Sequence, residues 1–301
     1  MWSHQAVSTV LRQLDQDVEH LLSEADMSGS VAVEVIGAEG LPGFHRQADK
    51  LMPAASLYKL TAMVAFCHAV DDGEIDPIEP VSLSALARAA GPTGLAVCLD
   101  PVRMSWRDLV RMMITISDNA AGTAVLHRLG QHRVQHSIDA LGMRHTAIRS
   151  APIPHQNIGS GYPPADPEVM DPYLLPDPVE YDPLLVSATT AADVLSVLRL
   201  IWQDQAASAP QCQFMREILG QQAWGHRFAE AFTYPGVTVA AKTGSLGPLC
   251  HEAGVISHPH EPSIAVAVLT RSARREQRIP LANTTVGQIA RHCVRSYRQL
   301  L

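Results

Sequence analysis

The chain has 301 residues, 47% of them hydrophobic and 18% charged, with a formal net charge of −7. Such a length and composition give a sizeable buried core, in one large domain or two closely packed ones, and exclude extensive disorder. The acidic balance, with Lys and Arg scattered and only mildly clustered from Arg271 to Arg278, excludes an electrostatic footprint for nucleic acid.

Cys67, Cys98, Cys212, Cys250 and Cys293 are far apart and form no C-x-x-C pair. Reduced, mostly buried thiols are expected rather than a zinc knuckle or redox centre. The first residues carry no basic segment followed by an apolar one, and no apolar run is long enough to span a membrane. A cytoplasmic protein without membrane contact is therefore expected; a chain trimmed of a leader would read the same and would allow secretion.

In chain order, residues 4–25 place Leu11, Leu14, Val18, Leu21 and Leu22 at helical spacing. Ser30 to Ile36 alternates Val31, Val33 and Val35 and reads as a strand, with a second short strand over Phe44 to Gln47. Pro53-Ala54-Ala55 breaks the chain, and an apolar helix is expected from Ser56 to about Val70. A short helix is expected over Ser82 to Ala90. Ser105 caps a helix bearing Trp106, Leu109, Val110 and Met113, and two further helices are split by Gly130. Residues 150–187 hold nine prolines, from Pro152 to Pro183, which forbid a long helix and disfavour a central strand. An ordered loop wrapped on the surface is expected there. Thr189 or Thr190 caps the next helix, and Gln211 to Leu219 is another. Strands follow over Val237 to Ala241, His251 to Ser257 and Ser263 to Thr270, and a helix over 280–300 closes the chain. Consecutive strands usually pair, so early and late strands are expected to share one sheet. The expected fold is α/β in the α+β sense: residues 1–52 and 189–301 as a discontinuous sheet domain, with 53–188 inserted as an all-helical domain.

Three short motifs fall where chemistry would be placed. In Ser56-Leu57-Tyr58-Lys59 a spacing of three sets both polar side chains on one helical face. A serine hydroxyl is a weak nucleophile until something takes its proton, and a lysine can do so only with a lowered pKa. The helix start also places backbone N–H groups around Ser56, suited to a developing oxyanion. Taken alone, the motif is also what a cap followed by a surface lysine looks like. Ser117-Asp118-Asn119 is equally a helix cap or a proton relay, with Ser117 passing a proton from Lys59 and Asn119 orienting that lysine and a substrate amide. Lys242-Thr243-Gly244-Ser245 is equally a strand end with a glycine turn. Its functional reading has Lys242 and Thr243 holding a substrate carboxylate and the Ser245 N–H pairing with that of Ser56 as an oxyanion hole.

Occurring together and in this order, the motifs favour chemistry over chance. On these residues the chain resembles the class A β-lactamase and penicillin-binding-protein superfamily of serine hydrolases, over nearly its whole length. The resemblance implies an antiparallel sheet flanked by terminal helices plus a helical insert, and an acyl-enzyme on Ser56. It also implies the roles stated for Lys59, Ser117, Asn119, Lys242, Thr243 and Ser245. A small-molecule substrate and no cofactor are expected. No H-E-x-x-H spacing points to a metal.

The chain departs from that pattern at one place. Class A β-lactamases carry, after the second motif, a glutamate followed by Leu-Asn that activates the deacylating water. The stretch after Leu141-Gly142-Met143 lacks it, and the only glutamates of the proline-rich loop are Glu168 and Glu180. His251 is the remaining candidate base, or simply the start of a strand. Slow release of a β-lactam acyl group is expected, with water, Lys59 itself or a non-water acceptor completing the cycle. A hydrolase that is a poor β-lactamase, an acyltransferase or cyclase in a biosynthetic pathway, a true class A β-lactamase with an unusual deacylating base, and an idle acyl-binding sensor are the outcomes this leaves open.

Overall fold

In the computed structural model, residues 4–38, 40–84, 91, 93–149, 181–273 and 279–301 are described. Helix α1 (His4–Glu24) leads into strand β1 (Met27–Val35), which starts earlier than the valine alternation suggested because Met27 to Ser30 pair with the far end of the chain. Strand β2 (Phe44–Arg46) runs back along β1. The chain then crosses out through β3 (Met52–Pro53) and returns through β6 (Ala188–Thr189), and these two crossings pair with each other.

Between the crossings the expected helix splits into a 3-10 turn, Ala55–Leu57, and α2 (Tyr58–Asp71). Residues Lys59 to Cys67 of α2 are all buried, so this helix is apolar on every side and runs through the middle of the fold. The predicted helix over Ser82 to Ala90 is a misreading at its start. Ser82 and Leu83 lie in β4 (Pro80–Leu83), antiparallel to β5 (Val102–Ser105), and residues 85–90 are outside the described set. The polar, alternating pattern of Val81-Ser82-Leu83 suits a ribbon better than a helix. Ser105 caps α3 (Trp106–Thr115) as expected, its hydroxyl accepting from the Asp108 N–H. Helix α4 (Asn119–Ala140) is interrupted at Gly130, whose φ of 71° and ψ of 158° leave the helical region.

Helix α5 (Ala191–Trp202) is capped by Thr190, and α6 (Ala209–Leu219) and the short α7 (Phe228–Ala231) follow. Strands β7 (Thr238–Leu246), β8 (Leu249–Ser257) and β9 (Ile264–Ser272) form an antiparallel meander, and α8 (Pro280–Arg298) ends the chain. The sheet order is β2-β1-β9-β8-β7. Both faces are covered, so the inner strands are apolar on both sides. Val31, Val33, Val266 and Val268 face the core with α1 and α8, whereas Ala32, Ala265, Ala267 and Leu269 face the core shared by α2 to α6. The small alanines let α5 lie close over β1 and β9.

Two consequences matter for the site. Strand β7 is an edge, and it runs through Lys242-Thr243-Gly244 to Leu246 rather than ending before them. The proline-rich segment is clamped at its base: Ala147 and Ala188 exchange both backbone hydrogen bonds at 2.9 Å, and the Ala54 N–H donates to Ser187 O at 2.7 Å. Residues 150–180, with Glu168 and Glu180, are outside the described set, so the expected loop is seen only at its anchors, the rear one two residues from Ser56.

Candidate active site

Ser56 sits in the 3-10 turn against β7, the α3–α4 connection approaches from the other side, and Lys59 lies beneath both. The Lys59 Nζ is 3.3 Å from Ser56 Oγ, 2.8 Å from Asn119 Oδ1, 2.5 Å from Ser117 O and 3.3 Å from Ser117 Oγ. Lys242 reaches the same hydroxyl from the sheet, its Nζ 2.9 Å from Ser117 Oγ and 2.9 Å from Thr243 O. Ser56, Lys59, Ser117, Asn119 and Lys242 therefore form one connected polar cluster, drawn from residues up to 186 positions apart in sequence.

Backbone geometry holds the two serines in place. Ser117 has φ 60° and Ala55, just before Ser56, has φ 43°, a region that non-glycine residues seldom occupy. In this conformation Ser117 turns both its carbonyl and its hydroxyl towards Lys59. Asp118, which the sequence presented only as a possible cap, fixes that turn. Its buried carboxylate accepts from the Ala121 N–H at 2.8 Å and from the Leu95 N–H at 2.5 Å. Replacing Asp118 by alanine removes the cap of α4 and orphans a buried N–H, so a loss of about 2–3 kcal/mol in urea unfolding is expected.

The lysines are unusual in their surroundings. Lys59 is fully buried, and burial lowers its amine to about 7, against an opposing pull from the charge of Asp118. Lys242 is also fully buried and is lowered well below the ordinary lysine value by burial first and by the charge of Lys59 second. A hydroxyl held between two ammonium groups can only accept. Once one amine is neutral, Ser117 can accept from one lysine and donate to the other, which is what a proton relay needs.

At the sheet edge, the Thr243 N–H donates to a side chain, Gln222 Oε1, at 2.8 Å, and the Thr243 carbonyl accepts from Lys242 Nζ. Both groups thus point off the free edge of β7. The two-residue strand period aims the Ser245 N–H off the same edge, towards the Ser56 turn. Gly244 permits this approach: a Cβ there would stand 3.2 Å from Leu57 Cγ and 3.4 Å from Ala54 O. Ser245 is exposed, and its Oγ accepts from Arg227 Nη2 at 2.6 Å. Thr243 is buried, and its own hydroxyl donates to Gln222 at 3.0 Å rather than standing open to the cleft.

His251 is corrected by the geometry. It is fully buried, its Nε2 lies 3.0 Å from Pro53 O, and its Nδ1 accepts from the Thr270 N–H at 3.1 Å. Burial lowers its imidazole to about 4, so it is a neutral strut between the strands and the β3 crossing, and both ring nitrogens are occupied. It is not placed as a base. His132 and His136 stand four apart in α4, but among the described residues no group of three His, Cys, Asp or Glu side chains could hold a metal.

Sequence reasoning missed the support behind β7. Arg227, buried, donates from Nε to Asn283 Oδ1 at 2.8 Å and from Nη1 to Gly244 O at 3.2 Å and to the His251 carbonyl. Glu252, also buried, accepts from the Phe228 N–H at 2.7 Å and from Gln222 Nε2 at 3.1 Å; burial raises its carboxyl to about 7. Trp224 Nε1 donates to Ile116 O at 3.0 Å, tying this segment to the turn that carries Ser117. One signal was available: Glu252 is a lone acid inside an apolar strand, and such a group needs a partner.

A model of the beta-lactamase enzyme family matches residues 13–297. The chain belongs to that family. Among curated proteins it is 24% identical to the beta-lactamase regulatory protein BlaB of Streptomyces cacaoi, over 92% of this chain and 95% of that one. Among solved structures, a beta-lactamase from Sphaerobacter thermophilus is 23% identical, with a TM-score of 0.77 over 94% of this chain and 97% of that one. PBP-A is 19% identical, also with a TM-score of 0.77, over 95% and 96% of the two chains. These structures establish the fold, and the family match agrees with the resemblance carried by the three motifs. Among the described residues no helix is long and apolar enough to cross a membrane.

Proposed function

We propose that this family member is a serine hydrolase that forms an acyl-enzyme on Ser56 from an ester, amide or lactam, and that it is a poor β-lactamase. The observation that carries the reading is the buried Lys59 amine, 3.3 Å from Ser56 Oγ, with its pKa lowered to about 7. At neutral pH a substantial fraction of Lys59 is free to accept a proton. As Ser56 Oγ attacks the acyl carbon, its proton passes to Lys59 Nζ, and the carbonyl oxygen becomes an oxyanion facing the N–H groups of Ser56 and Ser245. Collapse breaks the bond to the leaving group, which takes a proton through Ser117, re-supplied from Lys59. Lys242 donates to the Ser117 hydroxyl and so holds it in line for the relay.

Release of the acyl group is the step with no assigned base. His251 is committed to backbone partners. Acylation faster than release fits this chemistry. A variant of PBP-A, a protein of the same fold, is described as an acyl-enzyme complex with penicillin G.

The test is covalent labelling. A fluorophosphonate or penicillin probe is expected to add to the peptide containing Ser56, read by mass spectrometry, and to leave Ser56→Ala unmodified. Failure of every acylating probe to mark Ser56 sinks the reading. A second reading, a sensor that acylates once, is favoured by the regulatory name of the Streptomyces cacaoi relative. A burst of one acyl group per chain without steady turnover selects the sensor, and sustained release of free acid selects the hydrolase. An amide or ester product formed with an added amine or alcohol selects acyl transfer.

A further inference from the structure

Gln222 occupies the place where the third motif is expected to meet a substrate. Its Oε1 accepts two hydrogen bonds from one residue, the Thr243 N–H at 2.8 Å and the Thr243 hydroxyl at 3.0 Å. Its Nε2 donates to the buried Glu252 Oε1 at 3.1 Å. The orientation of the amide is fixed by chemistry: a backbone N–H can only donate, so oxygen must face Thr243, and the carboxylate favours nitrogen on the other side. The pair of donors that Thr243 turns off the edge of β7 is what a carboxylate oxygen would accept from. The Gln222 carbonyl supplies that oxygen from within the chain, and Glu252 behind it holds the amide in position.

We propose that Gln222 is a specificity-determining residue that fills the carboxylate subsite at Thr243, biasing the site against acyl donors that carry a carboxylate and towards neutral ones. The proposal rests on the reading of Ser56 as nucleophile, because that places the substrate along this edge. A carboxylate-bearing donor binds only by displacing the amide from two hydrogen bonds, and it approaches Glu252 as it does so. A neutral donor leaves Gln222 seated and uses the Ser245 end of the edge.

The test separates binding from chemistry. Equilibrium affinities for penicillin G and for its methyl ester are measured by calorimetry on Ser56→Ala, and on Ser56→Ala combined with Gln222→Ala or Gln222→Glu. Loss of two competing hydrogen bonds is expected to shift the ratio of affinities towards the free acid by on the order of tenfold in the alanine variant. The glutamate variant keeps the size of the side chain and puts a negative charge there, and it shifts the ratio the other way. It remains informative if the alanine variant folds poorly. An unchanged ratio in both variants overturns the proposal, as does binding of neither compound to any of the three proteins. Labelling of Ser56 in the wild type tells these failures apart: label with an unmoved ratio removes only the role of Gln222, whereas no label removes the underlying reading too.

Discussion

Lys59→Met is expected to slow acylation of Ser56 by roughly 10²–10⁴-fold, the range of a lost general base. The variant keeps the length and apolar stem of the side chain in its buried slot and removes only the amine. The wild-type rate constant should climb about tenfold per pH unit below 7 and level above it, because the reactive form is the neutral amine and burial sets its pKa at about 7. Stopped-flow labelling across pH 5–9 measures both effects. A flat profile in the wild type, or a variant within about threefold of it, would remove Lys59 from its assigned role. The same group leaves a mark on stability. Its folded pKa is depressed below the ordinary 10.5, so the unfolded chain binds the extra proton between about 7 and 10.5. Burial of the ammonium therefore costs most below pH 7, and that cost is relieved as pH rises. Relative to Lys59→Met, the wild type should gain stability above pH 7, by at most about 1.4 kcal/mol per unit.

Arg227→Met is expected to cost about 3–5 kcal/mol, the cost of breaking a buried charged network from one side. The guanidinium is the only donor seen, among the described contacts, to the Ser245 hydroxyl, and it also serves the Gly244 and His251 carbonyls and Asn283. Methionine fills much of the volume and satisfies none of them. Glu252, whose carboxyl is raised to about 7 mainly by burial, is held down in part by the charge of Arg227. Without it the carboxyl moves higher still, and its grip on the Gln222 amide weakens as it protonates. Urea unfolding measures the loss, and a change below about 1 kcal/mol would show that water replaces the arginine. Because Arg227 lies behind Gly244 and Ser245, the folded fraction should also acylate more slowly while the pH profile set by Lys59 keeps its midpoint.

Both expectations concern the same physical problem, which is how a fold buries three basic side chains, Lys59, Lys242 and Arg227, in and behind one polar cluster. Lys59 and Lys242 are kept by lowering the pKa values that would otherwise make the pair repel. Arg227, which cannot lose its proton, is instead given backbone carbonyls and the nearby Glu252. On the proposed reading the first device leaves an amine able to accept a proton, and the second braces the edge of β7 through the Gly244 and His251 carbonyls and the Ser245 hydroxyl. A nucleophile on the Ser56 turn facing that edge would then, on the same reading, find its oxyanion partners already in position.

The sequence by itself determined the parts whose cause is local. Apolar residues at helical spacing specified α1, α3, α5 and α8, and prolines and glycines marked the breaks, because each depends on neighbours within a turn or two of chain. It also determined the cluster Ser56, Lys59, Ser117, Asn119 and Lys242, since three motifs in one order identify a family. Tertiary structure alone decided the rest. Ser82 and Leu83 became a strand because β5, about twenty residues on, pairs with them. His251 became a strut because Pro53 and Thr270 meet it across the sheet. Thr243 found its hydroxyl taken because Gln222 and Glu252 converge there. The serine-lysine motif was readable from the chain, but the lowered pKa that makes it useful was not. Burial is a property of everything packed around a residue, and only the folded molecule brings that surrounding into being.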